Sequence, residues 1–129
     1  MLIPILTKNA PLPIGPYSQA IKIGKLLILS GQIPINVKSG KIEKDIIKQT
    51  KTILNNILSI VKDAEFKVEN IAKITIFLTD INQLEIVNKV YENFFSKHKL
   101  TTFPARSCVQ VSALPKNAKI EIEAFAISN

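Results

Sequence analysis

The sequence contains no tryptophan and only one cysteine, one methionine, one histidine and one arginine. The single cysteine, Cys108, permits no internal disulfide, and no cluster of Cys and His residues has the spacing of a zinc site. No segment reaches the roughly 18 consecutive apolar residues of a membrane span, and the apolar start at 1–6, interrupted by Pro4, is too short for a secretory signal. We therefore expect a cytoplasmic protein that binds no metal and no membrane.

The length and composition favour a single folded domain over residues 1–129. A chain of 129 residues that is 47% hydrophobic and 21% charged can bury a real core, and it is too apolar for a disordered coil. No repeat, linker or low-complexity segment divides it.

The formal charge of +7 suggests a nucleic-acid partner, but the distribution of the charges argues against one. The lysines are scattered, no aromatic strand of the RNA-binding type is present, and arginine, which reads phosphate and guanine with two parallel bonds, is almost absent. Of the 17 basic residues 16 are lysines, and Arg106 is the exception. A lone arginine in a lysine-rich chain indicates a position where lysine would not serve, so Arg106 is the most informative cation.

Hydrophobic periodicity predicts the secondary structure. The predicted strands are 17–23, 26–30, 71–79, 105–113 and 119–128, and the predicted helices are 43–65 and a segment that begins after Asp80 and ends near Lys99. Gly24-Lys25 is predicted as a two-residue hairpin turn, and residues 114–117 are predicted to turn the last two strands into a hairpin. The predicted order is β-β-β-α-β-α-β-β, in which one of the three strands before the first helix has no residues assigned to it. Two amphipathic helices cannot cover both faces of such a sheet, so the expected fold is α+β, a single mixed β-sheet with two α-helices on one face.

Arg106 lies on a predicted strand, where it shares a face with Cys108. Its planar fork, on a fixed base, would bind a carboxylate through two parallel hydrogen bonds. A surface arginine or a structural ion pair is the competing interpretation, and the scarcity of arginine favours the binding role. Glu121 and Glu123 follow the predicted hairpin turn, which would bring them near the strand of Arg106. Spacing alone does not show which of the two glutamates would act together with Arg106.

Cys108 has no visible base to activate it as a nucleophile. The only histidine, His98, lies on a helical stripe, so we expect Cys108 to be a small buried residue and His98 to pack or cap near a helix end. Motifs for nucleotide binding, zinc proteolysis and serine-esterase chemistry are absent.

Four further positions are candidates for a binding site. Ser30-Gly31 is predicted to end a strand, where free N–H groups can meet an anion. Tyr17 follows a Gly-Pro turn and suits either a pocket wall or ordinary packing. Asn88 lies close to the apolar stripe of the second helix, where a polar side chain must find a partner.

Four segments of the chain, taken together, resemble the RidA (YjgF) family of reactive-intermediate deaminases. They are Ile14-Gly-Pro-Tyr17-Ser-Gln, Ser30-Gly-Gln-Ile-Pro34, Phe103-Pro-Ala-Arg-Ser-Cys108, and Leu114-Pro followed by Ile120-Glu-Ile122, in the order of the family and near its spacing. The resemblance covers essentially the whole chain. It implies a chorismate mutase-like subunit that assembles as a homotrimer, with its ligand clefts between subunits.

The resemblance also implies a reaction, the hydrolytic deamination of enamine and imine intermediates to 2-oxo acids and ammonia without a metal or cofactor. The substrates would be 2-aminoacrylate/2-iminopropanoate and 2-iminobutanoate, released by pyridoxal-phosphate enzymes. Arg106 would grip the substrate carboxylate, and Glu121, which the resemblance selects over Glu123, would be the acidic partner near the attacking water. The cleft would be lined by Tyr17, Ser30, Gly31, Asn88 and Cys108.

Two other functions are alternatives at this point. The family includes members described as endoribonucleases or translation inhibitors, and the chain is basic, so an RNA-acting protein is one. A non-catalytic trimer that binds small carboxylates is the other.

Overall fold

Six strands and two helices follow one another in the predicted order, in a computed structural model that describes residues 1–129. They are β1 (Ile3–Ile5), β2 (Ala20–Ile23), β3 (Leu26–Gln32), α1 (Ile46–Asp63), β4 (Ile71–Leu78), α2 (Leu84–Lys97), β5 (Ala105–Gln110) and β6 (Ile120–Ile127). Short 3₁₀ turns lie at Val68–Asn70, Ile81–Gln83 and Pro115–Asn117. Neither α-helix is long and apolar enough to cross a membrane.

The strands form one mixed sheet in the order β1-β2-β3-β6-β4-β5. All neighbours are antiparallel except β4 and β5, which are parallel. The predicted Gly24-Lys25 turn is confirmed, since Ile23 pairs with Leu26 and Gly24 adopts a φ of 55° that glycine tolerates best.

Both helices pack on one face of the sheet, as predicted for an α+β fold. Along β4 every second side chain, Ile74, Ile76 and Leu78, is fully buried beneath them. The Asp45 side chain starts α1 by accepting a hydrogen bond from the Lys48 amide at 2.8 Å. The opposite face, called here the open face, carries the alternate residues of each strand and has no helix over it.

The predicted hairpin between the last two strands is wrong. β4 lies between β5 and β6, because the crossover through α2 returns the chain parallel to β4 and places β5 at the sheet edge. The connection from β5 to β6 instead passes the end of β4: the Val111 amide donates to Leu78 O at 2.8 Å, and the Thr79 amide donates to Lys119 O at 3.1 Å.

The predicted element ends also shift. The strand predicted to start at Tyr17 begins at Ala20, and the strand predicted to end at Ser30 continues to Gln32, with a register shift after Leu29. Asp80 caps a 3₁₀ turn by accepting from the Asn82 amide at 3.0 Å, so α2 begins later than predicted. β1 is a strand to which no residues were assigned from the sequence.

Candidate active site

Arg106 lies near the start of β5, half-buried, on the helix side of the sheet. It is level with Ile74 of β4, whose side chain points beneath the helices. The guanidinium donates from Nη1 to Asn88 Oδ1 at 2.8 Å, and its carbon lies 5.0 Å from the centre of the Tyr91 ring. The partner that Asn88 was expected to need is therefore Arg106. A guanidinium has five N–H donors, so this single side-chain bond leaves a fork free for a carboxylate.

A cavity of about 420 Å³ opens beside this guanidinium. Its lining is Asn88, Tyr91, Glu92, Phe103, Pro104 and Arg106. Asn88 and Tyr91 are three residues apart on α2 and so face the same way. The Phe103 ring stacks on Tyr91 with 6.3 Å between centroids and 19° between planes. Burial raises the pKa of Tyr91 to about 12, although the nearby Arg106 charge acts in the opposite direction, so the ring stays neutral beneath the cation.

A second group of predicted residues surrounds another cavity, of about 380 Å³. Tyr17, Ser30, Gly31 and Glu121 all line it, together with Ile14, Gly15, Ile33 and Pro115. Glu121 projects from the open face of β6, because it is level with Phe77 rather than with the buried residues of β4. Four of the seven predicted residues therefore do meet in one place.

Local backbone contacts position this second group. Ser30 lies in the irregular stretch of β3, and its hydroxyl donates to Ser18 O at 2.5 Å. Its amide donates to Gln19 O at 2.9 Å, so the expected free N–H at Ser30 is wrong. Tyr17 is about half exposed, and its hydroxyl oxygen accepts from the Ile14 amide at 3.4 Å.

Gln19 supports this region and was not identified from the sequence. Its side chain is buried, and it accepts from the Thr7 amide at 2.7 Å while donating to Thr7 O at 3.0 Å and Pro11 O at 2.9 Å. These bonds tie the N-terminal loop to the segment that carries Tyr17. The only signal in the sequence was that Gln19 ends the segment from Ile14, one of the four segments that resemble the RidA (YjgF) family.

The carboxyl of Glu121 is in an environment that favours its protonated form. Burial raises its pKa, and the neighbouring Glu123 raises it further, since Glu123 lies two residues away on the same face of β6. A half-buried carboxyl with a raised pKa is suited to move protons closer to neutral pH than an exposed one.

The two groups do not meet within one chain. Arg106 points to the helix side, whereas Glu121 points to the open face, and β4 separates their strands. Two strand spacings place β5 about 10 Å from β6 before the opposite directions of the side chains are counted. A single small substrate cannot contact both groups of one subunit.

His98 lies near a helix end as expected, whereas Cys108 is half-buried rather than buried. Cys108 is half-buried on the Arg106 face and packs against the core, and burial raises its pKa while Arg106 opposes that rise. It lines neither of the two cavities. His98 ends α2 with its ring 4.8 Å from that of Phe94, and its pKa is lowered by burial and then by Lys62 and Lys97. No three His, Cys, Asp or Glu side chains are grouped to hold a metal ion.

Known proteins resemble this chain over nearly its whole length. The sequence profile described as Endoribonuclease L-PSP matches residues 7–128. A 2-iminobutanoate/2-iminopropanoate deaminase of Escherichia coli strain K12 is 50% identical over 123 residues, which are 95% of this chain and 95% of the relative. A RutC family protein of Buchnera aphidicola subsp. Acyrthosiphon pisum is 56% identical over 122 residues, 95% of this chain and 94% of the relative. The crystal structure of E. coli TdcF with bound serine has a TM-score of 0.96 at 43% identity and covers 98% of this chain and 99% of that one. The chain therefore belongs to the RidA (YjgF) family of enzymes.

Proposed function

We propose that the protein hydrolyses small 2-imino acids and their enamine tautomers to 2-oxo acids and ammonia. The observation that carries the proposal is the Arg106 guanidinium, held at a cavity by Asn88 and Tyr91 with donors left for a carboxylate. Two relatives support it: one at 50% identity is named a 2-iminobutanoate/2-iminopropanoate deaminase, and TdcF has bound serine, itself a small carboxylate. An α-imino acid is already electrophilic at C2, so the reaction needs no cofactor.

The reaction is an addition followed by an elimination. Water adds to C2 of the C=N bond, and the former π electrons and a proton go to nitrogen, which gives a tetrahedral carbinolamine. The C2–N bond then breaks, ammonia leaves with its electron pair and a proton, and the C2 hydroxyl loses its proton to become the carbonyl. Glu121, as carboxylate, takes the proton from the water and passes it to the imine nitrogen, then takes the proton of the C2 hydroxyl and passes it to the leaving nitrogen, while Arg106 holds the substrate carboxylate.

The proposed site is assembled from two copies of the chain. In a homotrimer, the open face of one subunit would lie against the Arg106 edge of the next and join the Glu121 group to the Arg106 group in three equivalent clefts. Supporting this, the open face carries apolar side chains that stay exposed in a single chain, among them Ile28, Val109, Phe125 and Ile127. Tyr17, Ser30 and Gly31 would then form one wall of the cleft, and Asn88 and Cys108 would lie on the other side.

A coupled assay tests the proposal. A pyridoxal-phosphate-dependent serine or threonine dehydratase generates the imine, and the 2-oxo acid is followed at early times. In the cell, we propose that the protein acts in the cytoplasm, where such a dehydratase would release the imine. Wild type should accelerate oxo-acid formation and Glu121→Gln should not. No acceleration by wild type would refute the deaminase. Binding of a small carboxylate with no effect on imine lifetime would then favour the non-catalytic trimer, and metal-free RNA cleavage that requires Arg106 would favour the RNA-acting alternative.

A further inference from the structure

A groove of about 670 Å³ runs between α1 and α2 on the outer side of the helix layer. The two helices are parallel, since each returns the chain to a strand of the same direction: β3 to β4 through α1, and β4 to β5 through α2. The groove is lined by Ile47, Lys51, Leu54 and Asn55 of α1 and by Ile86, Lys89, Val90, Asn93, Phe94 and Lys97 of α2. None of the residues proposed for deamination is among them.

The floor of this groove is apolar and is left partly uncovered. Leu54 and Val90 are buried and Phe94 is half-buried, but Ile47 and Ile86 are 44% and 40% exposed. Ile47 lies three residues before the buried Thr50 and seven before the buried Leu54, a spacing typical of a helix core stripe, yet its side chain is exposed. Ile47 and Ile86 both lie in the first turn of their helices, so the exposed apolar surface is at one end of the groove.

The rim of the groove is positively charged on both sides. Lys51 lies on the α1 side, and Lys89 and Lys97 lie on the α2 side, all three exposed. No acidic residue lines the groove, and none of the three ammonium groups is within 4.0 Å of a carboxylate, because the chain has a single ion pair, between Lys67 and Glu69. An uncovered apolar trough between unpaired cations matches a ligand with one apolar stripe and negative charges on both flanks.

We propose that this groove binds an acidic amphipathic helix of a partner protein. From Ile86 to Lys97 the groove extends about 16 Å, the length of three helical turns. Seven of the ten lining residues are exposed, so a small molecule would stay largely in water, whereas a helix laid on two parallel helices buries its apolar stripe and brings flanking Glu or Asp to the lysines. At this lysine-rimmed groove, the +7 net charge of the chain favours an acidic partner over a second copy.

The groove is independent of the proposed active site. On α2, Asn88 and Tyr91 point toward Arg106, while Lys89 and Asn93 point toward α1. The assembly proposed above would cover the open face of the sheet, on the far side from the helices. The groove would therefore remain accessible in the assembled protein.

The probe is a fluorescein-labelled synthetic peptide of about 15 residues, with leucines at helical spacing i, i+3, i+4, i+7 and glutamates on both flanks. Its scrambled counterpart has the same composition and no apolar stripe. Fluorescence anisotropy of each peptide is titrated with the full-length protein at two salt concentrations. We expect wild type to bind the amphipathic peptide at least about tenfold more tightly than the scrambled one, and more weakly at high salt.

Three variants localise the binding. K51E/K89E should lower the affinity at least about tenfold, while K38E/K41E, which changes the same charge in the loop before α1, should leave it within about twofold. Ile86→Gln, at an exposed position that tolerates a polar side chain, should also weaken binding.

Several outcomes would overturn the proposal. Equal binding of both peptides, or equal losses in K51E/K89E and K38E/K41E, would show only general attraction to a basic protein. Phosphatidylserine vesicles that displace the peptide from wild type would assign the groove to a lipid surface instead. Self-association detected by sedimentation that K51E/K89E abolishes would assign it to a second copy. Since no arm measures deamination, failure here leaves the proposed reaction untouched.

Discussion

The α-carbon of Gly31 packs against the carboxyl group of Glu121, across the neighbouring strands β3 and β6. A methyl group built at position 31 would lie 2.9 Å from Cδ of Glu121 and closer still to one carboxylate oxygen. The absence of a side chain at position 31 therefore leaves the space that the Glu121 carboxyl occupies in the cavity. The backbone conformation does not require glycine here, since Gly31 is not among the residues with positive φ.

Gly31→Ala should remove most of the deaminase activity while preserving the fold. The half-buried Glu121 side chain can turn away from the new methyl group, but its carboxyl then leaves the position facing the substrate, and a displacement of about 1 Å can cost about a hundredfold in rate. kcat/KM in the coupled assay and the thermal midpoint measure the two effects. Gly24→Ala is the matched control, because it strains a turn at φ 55° and contacts nothing, so it should lower stability and leave kcat/KM unchanged.

Arg106→Lys should lower kcat/KM by roughly a hundredfold, chiefly through KM. Lysine keeps the charge but presents a point donor, which can neither hold Asn88 and a carboxylate at once nor stack as a plane on Tyr91. Steady-state kinetics with a coupled dehydratase measure the split between kcat and KM. The reverse exchange Lys22→Arg, on β2 beside Phe66, should have no effect on activity. A near-normal KM in Arg106→Lys would contradict the carboxylate-binding role.

The pH profile should report the protonation of Glu121. Burial and Glu123 raise the pKa of Glu121 above the ordinary 4.5, so its carboxylate form, which accepts the proton from water, is lost already as the pH falls through that higher value. kcat/KM should therefore decline on the acid side at a pH above 4.5. Glu123→Gln removes the like charge but not the burial, so it should move this acid limb to lower pH while leaving the plateau. An acid limb that Glu123→Gln leaves in place would contradict this assignment.

Most of the fold could be predicted from local patterns, but the position of β5 could not. Alternation and helical spacing are properties of a few neighbouring residues, and they gave the element order and both helices. Which strands become neighbours depends on contacts between distant segments, and residues 114–117 carry turn signals whether the chain folds back or crosses another strand. The amide of Val111 and the carbonyl of Lys119 both bond to the end of β4, which only the assembled sheet reveals.

In the candidate site, too, single residues could be predicted from local patterns, but their arrangement in space could not. Arg106 stood out by composition and Asn88 by its polarity on an apolar stripe, and the structure joins the two. Their separation from Glu121 depends on the order of three strands and on which face each residue occupies, and neither can be read from spacing. Gln19 was missed because its loop partners, Thr7 and Pro11, lie 12 and 8 residues away and leave no periodic signal.

Gln19→Leu should destabilise the protein by about 2–4 kcal/mol. Leucine fills a similar volume, but it leaves the buried amide and carbonyl of Thr7 and the carbonyl of Pro11 without partners. Chemical denaturation measures the loss in the free energy of unfolding. Gln83→Leu, at a half-buried residue with no side-chain hydrogen bond at its helix start, should change stability by less than about 0.5 kcal/mol. Equal effects of the two substitutions would show that the Gln19 bonds contribute little.

Two inactive variants should restore each other's activity if the site is shared between subunits. Arg106→Ala and Glu121→Gln each disable every cleft of a pure assembly. After equal amounts are unfolded together and refolded, half of the Arg106 sides and half of the Glu121 sides are intact, so random mixing gives about one quarter of the clefts both groups. The coupled assay should then recover about a quarter of the wild-type activity, and mixing without unfolding should recover less if subunits exchange slowly. A mixture that stays inactive while the refolded wild type recovers would contradict a shared site, because a quarter of the clefts should then hold both groups. Within one chain the two groups point to opposite faces of the sheet, so recovered activity would have to come from clefts between subunits.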